Sequence, residues 1–161
     1  MNTDKAYLAG GCFWGLQELI RTQKGVVSTT VGYMGGENDN PTYRNHPGHA
    51  EAVEVIYNSD EISFRELLMY FFRIHNPTTL NQQGNDTGSS YRSAIFYTSE
   101  EQYETSQEVI NRVNTSGKWE DPVVTQLNAF ENFTVAEEYH QDYLQKNPGG
   151  YTCHVEYFES Y

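Results

Sequence analysis

The chain of 161 residues is short of cationic side chains, with 10 Lys and Arg against 22 Asp and Glu and a formal charge of −12. Such a field repels phosphate backbones, which argues against nucleic acid or an anionic membrane surface as a partner. Long apolar runs are missing as well. Nowhere do about 18 apolar residues stand together, so no membrane-spanning helix is expected. Residues 1–9 lack the basic start and apolar stretch of a secretory leader, so none is expected. Cysteine is scarce too. Cys12 and Cys153 stand alone, too few for a secreted disulfide scaffold. A reducing cytoplasm is the expected setting, where a lone pair of thiols is more often catalytic than structural. Neither CxxC nor HExxH occurs, and no repeat or linker divides the chain. The reading is a single catalytic domain over residues 1–161, with a core at about 5–145 and a mobile tail at about 146–161.

What the chain does have is aromatic side chains and orderly punctuation. Residues 5–9 are apolar and run into Gly10-Gly11, a strand ending in a tight turn. Phe13, Leu16, Leu19 and Ile20 recur at helical spacing, with Gly25 as the stop. Residues 26–33 read as a strand, 34–48 as a long loop of turn residues, and 50–57 as another strand. A loop of that length inside a compact domain is usually functional. Ser63 and Glu66 form a capping-box pattern, with Ile62 able to staple onto Leu67, and the helix they open runs through Ile74 and stops before Pro77. A second polar loop, a strand at 91–97, a helix from Ser99 to about Asn114, a strand at 123–127 and a last helix from Thr134 through Leu144 complete the prediction. The first six elements read β-α-β-β-α-β. That order predicts an α+β fold, a ferredoxin-like βαββαβ two-layer sandwich with an extra C-terminal helix, long irregular loops and a tail.

Two residues invite chemistry. Cys12, after a strand and two glycines, falls at the start of a helix, where unpaired N–H groups and the dipole favour a thiolate. The same position also suits an inert thiol packed under Phe13 and Trp14. Gly10 and Gly11 leave room for a ligand to approach the backbone. Glu51 sits among Ala50, Ala52, Val53 and Val55, surroundings that raise a carboxyl pKa and make an acid near neutrality; alternatively it is an exposed position on a half-buried strand. If the two meet, thiolate and carboxylate repel by roughly 4 kcal/mol at about 4 Å and an effective dielectric near 20, and share one proton as a coupled pair. His46, His49 and Glu51 have a loosely metal-like spacing, which a solvated loop explains equally well. Cys12 with His75, His140 or His154 has the residue types of a cysteine hydrolase. A peptide-binding module stapled by its two cysteines is a third reading.

The sequence resembles peptide methionine sulfoxide reductases of the A type. The resemblance rests on Gly11-Cys12-Phe13-Trp14-Gly15, Gly32-Tyr33, Pro41-Thr42-Tyr43-Arg44, Gly48-His49-Ala50-Glu51, Gln83-Gly84-Asn85-Asp86 and Tyr91-Arg92-Ser93. It continues through Ala136-Glu137-Glu138-Tyr139-His140-Gln141 and Asn147-Pro148-Gly149-Gly150-Tyr151-Thr152-Cys153. It implies that Cys12 attacks the sulfoxide sulfur while Glu51 donates the proton that lets oxygen leave. Tyr43 and Tyr91 would hydrogen-bond that oxygen, with Asp86 supporting the polar side. Phe13 and Trp14 would line a pocket for the S-methyl group. The resulting Cys12 sulfenic acid would be resolved by Cys153 as a disulfide, which thioredoxin (or dithiothreitol) reduces; no bound cofactor and no metal are implied. The family acts on the S epimer, free or in proteins, and so repairs oxidised proteins. One site per chain suggests a monomer. Two departures are visible. Asn76 stands where many relatives have aspartate, and only one cysteine follows Cys12, so exchange with thioredoxin would be direct.

Overall fold

The computed structural model describes residues 2–161. Strand β1 (Thr3–Gly10) leads into helix α1 (Phe13–Ile20), which returns to β2 (Val26–Met34) and its neighbour β3 (Ala50–Asn58). Helix α2 (Phe64–Phe71) follows, then a small hairpin of β4 (Gln82–Gln83) and β5 (Asp86–Thr87), then β6 (Ser93–Tyr97). Helix α3 (Glu100–Thr115), β7 (Gln126–Ala129), β8 (Thr134–Val135) and α4 (Tyr143–Lys146) complete the chain. Six strands form one sheet in the order β7-β6-β1-β3-β2-β8. All neighbours are antiparallel except β6 and β7, which α3 connects as a parallel crossover.

The pleat sorts the strand residues by face. Leu8, Val31, Val53, Val55 and Ile95 point toward Phe13, Leu16 and Ile20 of α1, Leu67, Leu68 and Phe71 of α2, and Val109 and Val113 of α3. The other face carries small residues, Ala9, Ala50, Ala52 and Ala94, with Tyr7, Met34 and Phe96. Glu51 has the parity of Val53 and Val55 and so faces the helix-side core. Both boxed interactions at Ser63 and Glu66 are made, as the capping pattern predicts.

Three expectations differ from the structure. Helix α2 ends at Phe71 rather than Ile74: Arg73 and Ile74 N–H bond three residues back, to Tyr70 C=O (2.8 Å) and Phe71 C=O (3.3 Å), and the His75 ring also holds the Phe71 carbonyl (Nδ1 to O, 2.7 Å). The strand expected at 123–127 is shifted to Gln126–Ala129. The helix expected over 134–144 is replaced by β8, a 3-10 turn at Glu138–His140 and the four-residue α4, with Asp142 left-handed. Tertiary bonds win there. The Gln141 amide imitates a strand neighbour, accepting from Val31 N–H and donating to Val31 C=O, both at 2.9 Å. The Glu137 carboxylate accepts from the Tyr33 hydroxyl and the Tyr43 N–H.

Beyond Asn147 the chain has no regular secondary structure, yet it is tied to the core. Tyr157 N–H donates to Arg73 C=O at 2.7 Å, Arg73 Nε donates to Phe158 C=O at 2.7 Å, and the Tyr161 hydroxyl reaches Phe72 C=O.

Candidate active site

The end of β1 and the start of α1 fix the first group. Gly11 turns the chain at φ +93°, and Cys12 becomes the N-cap of α1 with no side-chain cap of its own. The orphan N–H groups of the first turn are thus free for other partners. One goes to Glu51. Phe13 N–H donates to its Oε1 at 3.2 Å, so the acid reaches from β3 to the helix end that carries the thiol. Cys12 is 8% exposed and Glu51 1%, which excludes an exposed alternate position for the acid.

Cys12, Phe13, Trp14, Tyr43, Glu51, Asp86, Tyr91 and Tyr151 line one cavity of about 100 Å³. Every proposed site residue except Cys153 is in that lining. Tyr43 comes from the long loop, its N–H held by Glu137 at 3.0 Å. Tyr91 comes from a 3-10 turn (Ser89–Tyr91), fixed by its neighbour Arg92. The buried guanidinium of Arg92 donates to the carbonyls of Ser89 (2.8 Å) and Gly48 (3.1 Å) and to Gln126 Oε1 (3.1 Å). It thereby clamps both tyrosine-bearing loops to the sheet edge. The Trp14 indole donates to His140 Nδ1 at 2.9 Å and stacks on Tyr143 at 3.7 Å, which fixes its plane. Asp86 accepts from the Tyr151 hydroxyl at 3.2 Å and lies 3.9 Å from Cys153 Sγ.

Protonation follows from burial. Desolvation pushes the Glu51 carboxyl up to about 8, against the opposing Phe13 N–H bond. Burial, then the nearby Glu51 charge, pushes the Cys12 thiol up to about 12; the Trp14 N–H opposes this and is outweighed. Removing the sulfur from water thus opposes the thiolate that the start of a helix favours, and burial favours the neutral form of the acid beside it. The Tyr43 and Tyr91 phenols are also raised, by burial and then by the Glu51 charge, so both stand ready as donors.

The glycines have a different use from the one expected. A Cβ on Gly10 would lie 3.0 Å from His75 Cδ2 and one on Gly11 2.5 Å from Gln83 Cγ, and one on Gly15, a turn further on, would collide with His154 Nδ1 and Thr152 Oγ1. The space at the backbone is filled by the protein's own hairpin and tail, with no room for a ligand. Gly15→Ala should therefore displace the tail and cost about 1–3 kcal/mol through overpacking, measured by urea denaturation of the reduced protein; unchanged stability would mean that the tail is not seated there.

The histidine alternatives find other employment. His46 bridges Thr42 C=O and Ser90 Oγ, His49 bridges Gly36 N–H and Asn38 C=O, and His75 bridges Phe71 C=O and Ser93 Oγ. Both nitrogens of each ring brace loops or core. Three contributors escaped sequence reasoning as role-bearing residues, Tyr151, Arg92 and Glu137, while His140, weighed only as a hydrolase partner, instead accepts from the Trp14 indole. Only Tyr151 carried a local signal, an aromatic two positions from the second cysteine.

The fold and this cavity fit an oxidoreductase of the methionine sulfoxide reductase class. A sequence model of the family "Peptide methionine sulfoxide reductase" matches residues 4–160, and the chain belongs to that family. It is 59% identical over 150 residues to the peptide methionine sulfoxide reductase MsrA of Mycolicibacterium gilvum, covering 93% of this chain and 89% of that one. The crystal structure of Mxr1 from Saccharomyces cerevisiae in reduced form superposes with a TM-score of 0.86 at 39% identity, covering 94% of this chain and 89% of that one. Mxr1 in complex with Trx2 matches with a TM-score of 0.66 at 29% identity over 96% and 89%. As a family member the protein is an oxidoreductase that reduces methionine sulfoxide.

Proposed function

We propose that this chain reduces the S epimer of methionine sulfoxide, free or in oxidised proteins, through a Cys12 sulfenic acid and a Cys12–Cys153 disulfide. The S-methyl group rests against Phe13 and Trp14, and the sulfoxide oxygen accepts from Tyr43, Tyr91 and Glu51. Sulfoxide oxygen is a strong acceptor and a poor leaving group until protonated. Glu51 gives its proton to that oxygen as Cys12 sulfur attacks the substrate sulfur, and the Cys12 thiol proton returns to Glu51. Oxygen then leaves with the enzyme sulfur, giving methionine and Cys12–SOH. A positioned acid contributes about 10²–10⁴-fold, and preorganised phenols stabilise the charge that develops on oxygen.

Cys153 resolves the sulfenic acid, and thioredoxin reduces the disulfide directly, as suits a chain with no third cysteine; the Mxr1–Trx2 complex supports this partner. One complete site per chain suits a monomer, and the reductant suits a cytoplasmic setting. The strands β6-β1-β3-β2 with α1 and α2 are read as a ferredoxin-like βαββαβ sandwich, extended by β7 and β8. The observation that carries the proposal is a buried Glu51, its carboxyl pushed up to about 8, bonded to the N–H next to Cys12 in one small cavity. Resolved S- and R-methionine sulfoxide with dithiothreitol test it. Methionine is expected from the S epimer alone, and equal yields from both, or none from S, would refute it.

A further inference from the structure

Resting on that reading, we infer that His154 is the base that takes the Cys153 thiol proton when Cys153 attacks the Cys12 sulfenic acid. Both cysteines are free thiols in the structure. The tail brings Cys153 against Gly84, where a Cβ on that glycine would lie 3.3 Å from Cys153 Cβ, and within 3.9 Å of Asp86, a wall of the Cys12 cavity. Next along the tail, His154 is 5% exposed, far deeper than its exposed neighbours Thr152 and Val155. Its Nε2 lies 2.6 Å from Gly10 C=O. A carbonyl only accepts, so Nε2 carries the hydrogen, and the neutral ring then presents a bare lone pair at Nδ1. That lone pair is 4.0 Å from Cys153 Sγ, within reach of a sulfur hydrogen bond. Gly15 makes room for this ring.

The other groups around the thiol suit the task less well. Gln83 C=O, at 3.9 Å, is an acceptor and no base. Asp86 Oδ2, also at 3.9 Å, already accepts from the Tyr151 hydroxyl. Burial holds His154 below the usual imidazole range, so the ring is neutral at pH 7, while the Asp86 carboxylate favours its protonated form. His75 is the other ring nearby; burial, then the influence of His154, lowers it to about 3, so it stays uncharged. Burial and the Asp86 charge raise the Cys153 thiol, and so it needs a base to act at neutrality.

The step balances. Cys153 sulfur forms the S–S bond while the S–O bond of Cys12–SOH breaks. The Cys153 proton goes to His154 Nδ1, and the departing hydroxide takes the Glu51 proton and leaves as water. Cys12 sulfur is reduced by the electron pair that Cys153 sulfur shares with it, and both side chains reset by exchange with solvent.

The test uses His154→Gln, whose terminal amide can still donate to Gly10 C=O but offers no basic nitrogen. Reduced protein is mixed with methionine S-sulfoxide without reductant; methionine formed per chain reports the Cys12 step, and disulfide formed against time reports the second. The first is expected unchanged, which also shows the variant folded. The second is expected to fall by about 10²-fold at pH 7 and to rise about tenfold per pH unit, following the thiolate fraction, where wild type is flat from pH 6 to 8. An unchanged rate, or one lowered equally at every pH, overturns the inference, since the latter marks docking alone. If the variant loses the methionine burst, the wild-type profile decides: a plateau supports the base, and a unit slope through neutrality overturns it. Absence of methionine from wild type would refute the proposed function instead.

Discussion

Cys12→Ser is expected to reduce methionine formation to background, with either dithiothreitol or thioredoxin as reductant. A serine hydroxyl titrates far above a thiol and has little nucleophilicity toward sulfur, and no neighbour in the cavity is placed to activate it as a histidine would. The fold should survive the change. Serine is among the preferred N-cap residues, whereas Cys12 supplies no cap bond, and the two side chains are close in size. Loss of turnover with unchanged far-UV circular dichroism and melting temperature would thus isolate the chemistry. Residual turnover near wild type would mean that another group attacks the sulfoxide.

Glu51→Gln is expected to lower kcat/KM by about 10²–10⁴-fold. The amide can still accept from Phe13 N–H, so the wall of the cavity is kept while the proton is lost. Wild-type activity should decline as pH rises past about 8, the value to which burial pushes this carboxyl, and the Gln variant should lack that limb. Stability should depend on the same proton. A carboxyl raised in the folded state holds its proton where the unfolded chain has lost it. The folded state then binds more protons, and stability falls as pH climbs from about 4.5 toward 8. Glu51→Gln removes this burden and should be the more stable protein at pH 8, by up to a few kcal/mol in urea denaturation. A variant that is less active and less stable at that pH would show that Glu51 serves packing rather than proton delivery.

The sequence makes some of this site readable because its signals are local. A strand, two glycines and a helical repeat place Cys12 at a helix start without any tertiary knowledge. Glu51 stands out as a carboxyl in an apolar strand. The protonation state of Cys12 is not readable in that way. It depends on how deeply the sulfur is covered and on a charge from β3, both long-range. The same holds for the tail. Gly11 and Gly15 look like turn and helix glycines, and only the fold shows Gln83, Thr152 and His154 occupying the space they leave. The failed helix over 134–144 follows the same logic. Its spacing is helical, but Gln141 and Glu137 find partners on β2 and the long loop, and those bonds override local propensity.

The most direct measurement follows the oxygen. Cys153→Ser protein, unable to form the disulfide, is mixed with methionine S-sulfoxide carrying heavy oxygen, and the peptide containing Cys12 is weighed by mass spectrometry. One methionine per chain and one heavy oxygen on Cys12 are the predicted result. Methionine released with the label in water and Cys12 unmodified would contradict attack by this sulfur on the sulfoxide.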